Sequence, residues 1–117
     1  MRHRKGNSKL GKPTDQRIAL LRSLVRELFI NSRIKTTKTR ARAAQRYADR
    51  IIALAKKGDL SSRRQALRLL PHKDILSTVF SSVSDTIKNR QGGFTRVIPL
   101  TARQGDAAQM AMLEIVQ

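Results

Sequence analysis

The chain has 117 residues, which fits one domain; two would each be marginal. It carries 25 Lys and Arg against eight Asp and Glu, a net charge of +17 at pH 7. Cysteine is absent, so disulfide scaffolds, thiolate metal sites and cysteine nucleophiles are excluded.

Residues 1–13 place Gly6, Asn7, Ser8, Gly11 and Pro13 among cations, and only Leu10 can anchor to a core. This segment buries too little apolar area to offset its ordering entropy. It is expected to be an arm that orders only against a partner, ahead of a single domain over 14–117. The opening Met1-Arg2-His3-Arg4-Lys5 has no apolar stretch behind it and does not read as a secretory signal. No apolar run approaches the ~18 residues of a membrane-spanning helix.

Thr14 is a candidate helix cap, with Asp15 in the first turn. Ile18, Leu21, Val25 and Leu28 follow at helical spacing, widened by Leu24 and Phe29. This predicts a helix over 14–30, ended by Asn31-Ser32. The β-branched run Arg33-Ile34-Lys35-Thr36-Thr37 predicts a short strand or extended link. Thr36 or Thr37 then caps a second helix, in which Ala41, Ala44, Ala48, Ile51 and Ala55 recur down to Gly58, a natural stop. An alanine stripe permits close approach of a neighbouring element.

Residues 60–70 form a predicted third helix, with Leu60, Leu67 and Leu70 in phase and Pro71 as terminator. His72 reads as a helix-start residue. Ile75, Leu76, Val79, Phe80, Val83 and Ile87 fit a fourth helix, whose later half is weakened by serines 77, 81, 82 and 84. Gln91-Gly92-Gly93 is a predicted turn. Residues 94–100 read as a strand with Phe94, Arg96, Ile98 and Leu100 on one face. Residues 110–116 read as another, with Ala111, Leu113 and Ile115 opposed to Met112, Glu114 and Val116. The expected architecture is α+β: several helices packed on a small sheet of about three strands, with a basic extended N-terminal arm.

Charge is unevenly placed along this framework. The first 70 residues hold 20 cations and four acids; the last 47 hold five and four. A cationic coat serving only solubility needs no such asymmetry, so polyanion contacts are expected from the first 70 residues. Arg42, Arg46 and Arg50 stand at i, i+4 and i+8 on the second helix, with Lys38 one turn earlier, all away from the alanine stripe. Like charges at this spacing cost about 0.2–0.5 kcal/mol per pair, and only Asp49 is near enough to offset them. Arginine's planar fork suits phosphate oxygens. Arg63, Arg64 and Arg68 form a smaller patch, which an amphipathic helix surface also explains. Arg22 and Arg26 are ambiguous, because their stems can cover core surface.

Only four aromatic side chains exist, Phe29, Tyr47, Phe80 and Phe94, and three have core-facing positions. That argues against a base-stacking platform and for recognition of shape and backbone. No paired carboxylates at metal-ligand spacing and no histidine with an orienting partner stand out, so no enzyme or cofactor site is predicted. The runner-up to an RNA binder is a small architectural protein that bends DNA.

The ordered motifs resemble one family over essentially the whole chain. Met1-Arg2-His3-Arg4-Lys5, Lys9-Leu10-Gly11-Lys12-Pro13, Arg17 and Ala19-Leu20-Leu21-Arg22 match its opening. Arg33-Ile34-Lys35-Thr36-Thr37, Ile51-Ile52-Ala53-Leu54-Ala55-Lys56 and Gly92-Gly93-Phe94-Thr95-Arg96 match its middle; Gly105-Asp106-Ala107-Ala108-Gln109-Met110-Ala111 and Leu113-Glu114-Ile115-Val116 match its end. Together they resemble the bacterial-type large-subunit ribosomal protein seventeen family. The stretches Asp15-Gln16-Arg17, Thr39-Arg40-Ala41-Arg42-Ala43 and Arg63-Arg64-Gln65-Ala66-Leu67 look most like its cyanobacterial and plastid branch.

The resemblance implies a structural, non-catalytic component of the large subunit, one copy per ribosome, in bacterial cytoplasm or an organelle stroma. Its implied partners are large-subunit RNA and neighbouring large-subunit proteins, with no membrane, small-molecule substrate, cofactor or metal. Residues and resemblance together nominate Arg2, His3, Arg4, Lys5, Lys9, Lys12, Arg17, Arg22, Lys38, Arg42, Arg46, Arg50, Arg63, Arg64 and Arg96 as RNA-contacting. Deleting residues 1–13 is expected to leave the thermal midpoint within about 5 °C, equivalent to roughly 1 kcal/mol, while weakening incorporation into ribosomes. Calorimetry of the deletion variant tests this; loss of cooperative unfolding would show that the arm belongs to the core.

Overall fold

The computed structural model describes residues 10–83 and 92–116. Four helices pack on a three-stranded antiparallel sheet, the α+β arrangement expected from the sequence. The expected arm falls mostly on residues 1–9, outside the described residues, as does the expected end of the fourth helix near 87. Leu10 to Pro13 form a turn that delivers the chain to the first helix.

Helix α1 spans Thr14–Asn31. Its boundary residue is Pro13, whose carbonyl accepts from the Arg17 N–H at 2.9 Å. Thr14 therefore lies in the first turn and is not the cap; no side chain caps this end. Proline's fixed φ, here −58°, sets the entry angle without a capping bond. At the other end Ser32 adopts φ +69° and donates its N–H to the Leu28 carbonyl at 2.7 Å, a left-handed stop.

Strand β1, Arg33–Thr37, follows at once, and helix α2, Lys38–Lys57, begins without a loop. Thr37 occupies the cap position but makes no side-chain capping bond. The Lys38 N–H instead donates to the Gln109 carbonyl at 2.9 Å, so the strand ladder runs into the first helical residue. Gly58 ends α2 at φ +71°, a conformation glycine adopts without strain.

Helix α3, Leu60–Leu69, is capped by Asp59, which accepts from the Ser62 N–H at 2.7 Å. The Ser62 hydroxyl, together with its N–H, holds the Asp59 carboxyl below the ordinary carboxylate range. The expected Leu60, Leu67, Leu70 phase is corrected: Leu60 is 64% exposed, and Ser62, Ala66 and Leu70 are buried. The cap fixes Leu60 in the outward part of the first turn, and small residues at 62 and 66 let α3 lie close against its neighbours.

Helix α4 changes its winding partway, and the expected end near 87 lies outside the described residues. It covers Lys73–Thr78 and passes into a π-helical turn, Val79–Val83. At the junction Thr78 donates its hydroxyl to the Asp74 carbonyl and Ser81 to the Thr78 carbonyl. Such side-chain donors compete for the carbonyls of a regular helix, consistent with the change of winding.

The sheet order is β1-β3-β2, with β2 Thr95–Pro99 and β3 Met110–Ile115. Both pairings are antiparallel, and the last strand lies in the middle. Ile34, Leu113 and Val97 form one cross-strand row and Thr36, Ala111 and Pro99 the next, facing the helices. Phe94 departs from its expected alternation with Arg96 and Ile98. It precedes the strand, after Gly93 at φ +64°, and its ring is buried on Ile52. The loop from β2 to β3 is clamped by Arg103, which gives Asp106 two hydrogen bonds, at 3.1 and 2.6 Å. The clamp, with the Ala108 N–H, holds Asp106 down to about 2. Its contribution is complete above the ordinary carboxylate range and is lost as pH falls through that value.

The core joins Val25 and Leu28 of α1, Ala41, Ala44, Ala48, Ile51 and Leu54 of α2, Ala66 of α3, Leu70, Leu76 and the sheet residues Ala111 and Leu113. Ala41, Ala44 and Ala48 have no exposed surface. Replacing Ala48 with Leu is expected to cost about 1–3 kcal/mol through overpacking. The same change at exposed Ala53 should stay within about 0.5 kcal/mol. Urea midpoints of the two variants test the difference; equal midpoints would refute close packing at 48.

Candidate nucleic-acid interface

Helix α2 separates two chemistries by its winding. The residues Ala41, Ala44, Ala48, Ile51, Ile52 and Ala55 are buried, whereas Arg42, Arg46 and Arg50 are all exposed. Each i, i+4 step rises about 6 Å along the axis, so the three guanidinium groups form a stripe roughly 12 Å long on one side of the helix. Among the described residues, no ion pair involves any of the three. Their mutual repulsion is therefore uncompensated within the fold.

Asp49, the one acid expected to offset them, is turned elsewhere. Its carboxylate accepts from the Thr95 hydroxyl at 2.8 Å, while Gln45 donates its side-chain N–H to the Thr95 carbonyl at 3.2 Å. These bonds pin the start of β2 to α2. Burial pushes the Asp49 carboxyl up, and the bonds from Thr95 only partly oppose it.

The other nominated residues fall into distinct settings. Lys38 is half-buried at the start of α2, and Lys12 and Arg17 are half-buried near the start of α1. Arg64 is exposed on α3. Arg63 lies 5.3 Å over the Phe80 ring, so its charge also serves packing. With Ala55, Lys56, Gly58, Leu60, Phe80 and Ser81 it lines an open crevice of about 470 Å³. Arg2, His3, Arg4, Lys5 and Lys9 lie outside the described residues.

Arg22 is engaged in the fold. Its Nε donates to the Leu69 carbonyl at 3.0 Å and its Nη2 to the Arg68 carbonyl at 2.8 Å. The Tyr47 hydroxyl also donates to the Leu69 carbonyl. One cation and one phenol thus satisfy carbonyls at the negative end of α3 and tie α1, α2 and α3 together. Arg96 pairs with Glu114 across the sheet.

Register reveals two cations that sequence reasoning passed over. Arg33 and Lys35 are exposed on β1, on the sheet face turned away from the helices, together with Arg96. The exposed–buried alternation of Arg33-Ile34-Lys35-Thr36 was the available signal. Among the described residues no cluster of three His, Cys, Asp or Glu could hold a metal ion, and no helix is long and apolar enough to cross a membrane.

Asp49→Asn is expected to keep the Thr95 bond through its amide oxygen while removing a negative charge beside the stripe. Because the folded state raises this carboxyl, ionising it works against folding as pH rises above the ordinary carboxylate range. The variant should therefore be at least as stable as wild type at pH 7, and equally stable in acid. A carboxylate beside the stripe repels an approaching polyanion, so polyanion binding should tighten in the variant at low salt. Denaturation at two pH values and binding isotherms test this. A variant destabilised at pH 7 would show that the ionised carboxylate holds the junction.

Comparison with known proteins extends the pattern. Residues 20–116 match the family model described as ribosomal protein L17. A relative from Finegoldia magna, named large ribosomal subunit protein bL17, is 49% identical over 108 residues, which cover 92% of this chain and 82% of the relative. The match runs from within α1 through β3, taking in the arginine stripe and all three strands. On this evidence the chain belongs to the ribosomal protein L17 family.

Proposed function

We propose that the chain is a structural, non-catalytic constituent of the large ribosomal subunit that binds and stabilises folded ribosomal RNA through phosphate and shape contacts. The observation that carries this reading is the Arg42, Arg46, Arg50 stripe: exposed, without an ion pair among the described residues, and on a helix whose opposite face is committed to the core. Like charges at i, i+4 spacing repel only weakly, and an external counter-charge turns that small cost into a gain. The net charge of +17 makes a polyanion that counter-charge.

Folded RNA is favoured over single strands because the aromatic rings serve the core. Phe94 is buried, and Phe29, Tyr47 and Phe80 pack against the main core cluster. The name of the Finegoldia magna relative supports the large subunit as the site of assembly. In this reading residues 1–13 form a basic arm that penetrates RNA ahead of the 14–117 domain. One copy binds per ribosome, beside neighbouring large-subunit proteins, in bacterial cytoplasm or an organelle stroma. The segments 15–17, 39–43 and 63–67 support the cyanobacterial and plastid branch. In the stripe, the arginines position the domain and do not read bases.

The test replaces Arg42, Arg46 and Arg50 together with Gln. Stability should be unchanged, since none of the three contributes to the core. Affinity for folded large-subunit RNA should fall, and to a similar extent for RNAs of the same shape and different sequence. The slope of log affinity against log salt should decrease by roughly 2–3. An unchanged slope would reduce the stripe to solvated charge. Loss confined to one RNA sequence would mean base reading, and co-purification with DNA in place of large-subunit RNA would favour the architectural alternative.

A further inference from the structure

The helices cover one face of the sheet; the other face has its own chemistry. Its first cross-strand row is Arg33, Glu114 and Arg96, and its second is Lys35, Met112 and Ile98. The inward rows, including Ile34, Leu113 and Val97, pack on the core, so the pleat turns these six side chains away from the helices. The Ile115 N–H donates to the Ser32 carbonyl. Antiparallel alternation then makes the adjacent Arg33–Glu114 pair a non-hydrogen-bonded one, in which side chains stand closest.

The face carries more positive charge than it neutralises. Glu114, only 15% exposed in its side chain, is the single acid of the two rows and pairs with Arg96, which stays 61% exposed. Arg33 stands across from Glu114 in register but outside the ion pair with Arg96, and Lys35 stands across from Met112. Three cations against one acid remain on a shallow surface of which Ile98 forms the exposed apolar part. Arg33 and Arg96 sit two strands apart, roughly 10 Å.

We propose that this outer sheet face is a second phosphate-binding surface, so that the domain clasps two separate segments of ribosomal RNA, one on α2 and one on the sheet. The inference rests on the RNA-binding reading above. Charge complementarity selects the occupant. A second copy of this chain would bring like charge to a positive face. Addition of a strand at the β2 edge is opposed by Pro99, which has no N–H to donate. The two rows contain no aromatic ring for stacking a splayed base. A flat face with cations at its margins and low apolar side chains between suits the wide, shallow minor groove of an A-form duplex and its phosphate rims. The arginine stripe is on the side of α2 opposite its buried alanines, and the outer sheet face is beyond the core from α2. A straight RNA helix against one surface therefore leads away from the other.

Hydroxyl-radical footprinting of full-length protein on large-subunit RNA tests the proposal. Wild type should protect two segments separated in the RNA sequence. Arg33→Gln with Lys35→Gln should abolish one footprint, lower the salt slope by about 1–2, and leave the other footprint in place. Arg42→Gln, Arg46→Gln and Arg50→Gln together should do the converse. An unchanged footprint and slope in the sheet variant would overturn this inference while leaving the helix reading intact. An unchanged helix variant with an altered sheet variant would overturn the helix reading alone, and loss of the same segment in both would mean one surface and no clasp. A photo-crosslinker at position 35 in assembled large subunits should capture RNA; capture of a protein or lipid would overturn the proposal. Because Arg33 and Lys35 are exposed, the sheet variant should unfold at the wild-type temperature, and Lys35→Gln alone, expected to weaken the same footprint, provides a second reading.

Discussion

The close seating of α2 against the sheet and its neighbouring helices is the contact from which the rest of the molecule follows. Ala41, Ala44 and Ala48 are fully buried, and a methyl group is the largest side chain that lets two backbones approach so closely. Little apolar area per residue is gained at those positions, so the larger contributions come from what the approach brings together. Leu28, Ile51, Leu70 and Leu113 are fully buried, each giving roughly 1.5–3 kcal/mol relative to exposure. With one face of α2 used in this way, the opposite face has no structural duty. Arginines can occupy it at only a small cost in mutual repulsion.

Around that contact, polar side chains do work that the small core leaves undone. Arg22 and Tyr47 converge on the carbonyls that end α3, and Gln45 with Asp49 holds Thr95 at the start of β2. Each of these bonds links elements distant in the chain, and all but the exposed Arg22–Arg68 bond lie at sites partly shielded from water, where a hydrogen bond is electrostatically stronger. They also separate the cations into two populations. Arg22 is bonded within the fold, whereas Arg42, Arg46 and Arg50 are exposed and make no ion pair among the described residues.

The central place of β3 adds a topological constraint. Its partners are β1, about eighty residues earlier in the chain, and β2, so the sheet closes only when nearly the whole chain is present. Before then, the inner face of β1 and the alanine side of α2 lack their covering row. Formation of the outer sheet surface and completion of the core are therefore one event, because the same strand supplies Leu113 to one face and Glu114 to the other.

Much was determined by the sequence alone. The 3.6-residue period and the stops at Ser32 and Gly58 delimited α1 and α2 closely, and the two-residue period in 110–116 put Ala111, Leu113 and Ile115 on one shared face, which the structure turns to the core. The arginine stripe was legible because i, i+4 spacing on a helix fixes a shared side whatever the helix packs against. Other features needed the tertiary structure. Leu60 is outside because the Asp59 cap fixes its place in the first turn, a choice that apolar periodicity does not contain. The π-helical turn after Thr78 and the burial of Phe94 ahead of its strand depend on local bonding and on α2. Whether a cation is bonded inward, as Arg22 is, or shares a face with Arg33, Lys35 and Arg96 depends on strand register and helix docking. Periodicity describes one element at a time; register and docking are relations between elements, and they exist only once the chain has folded.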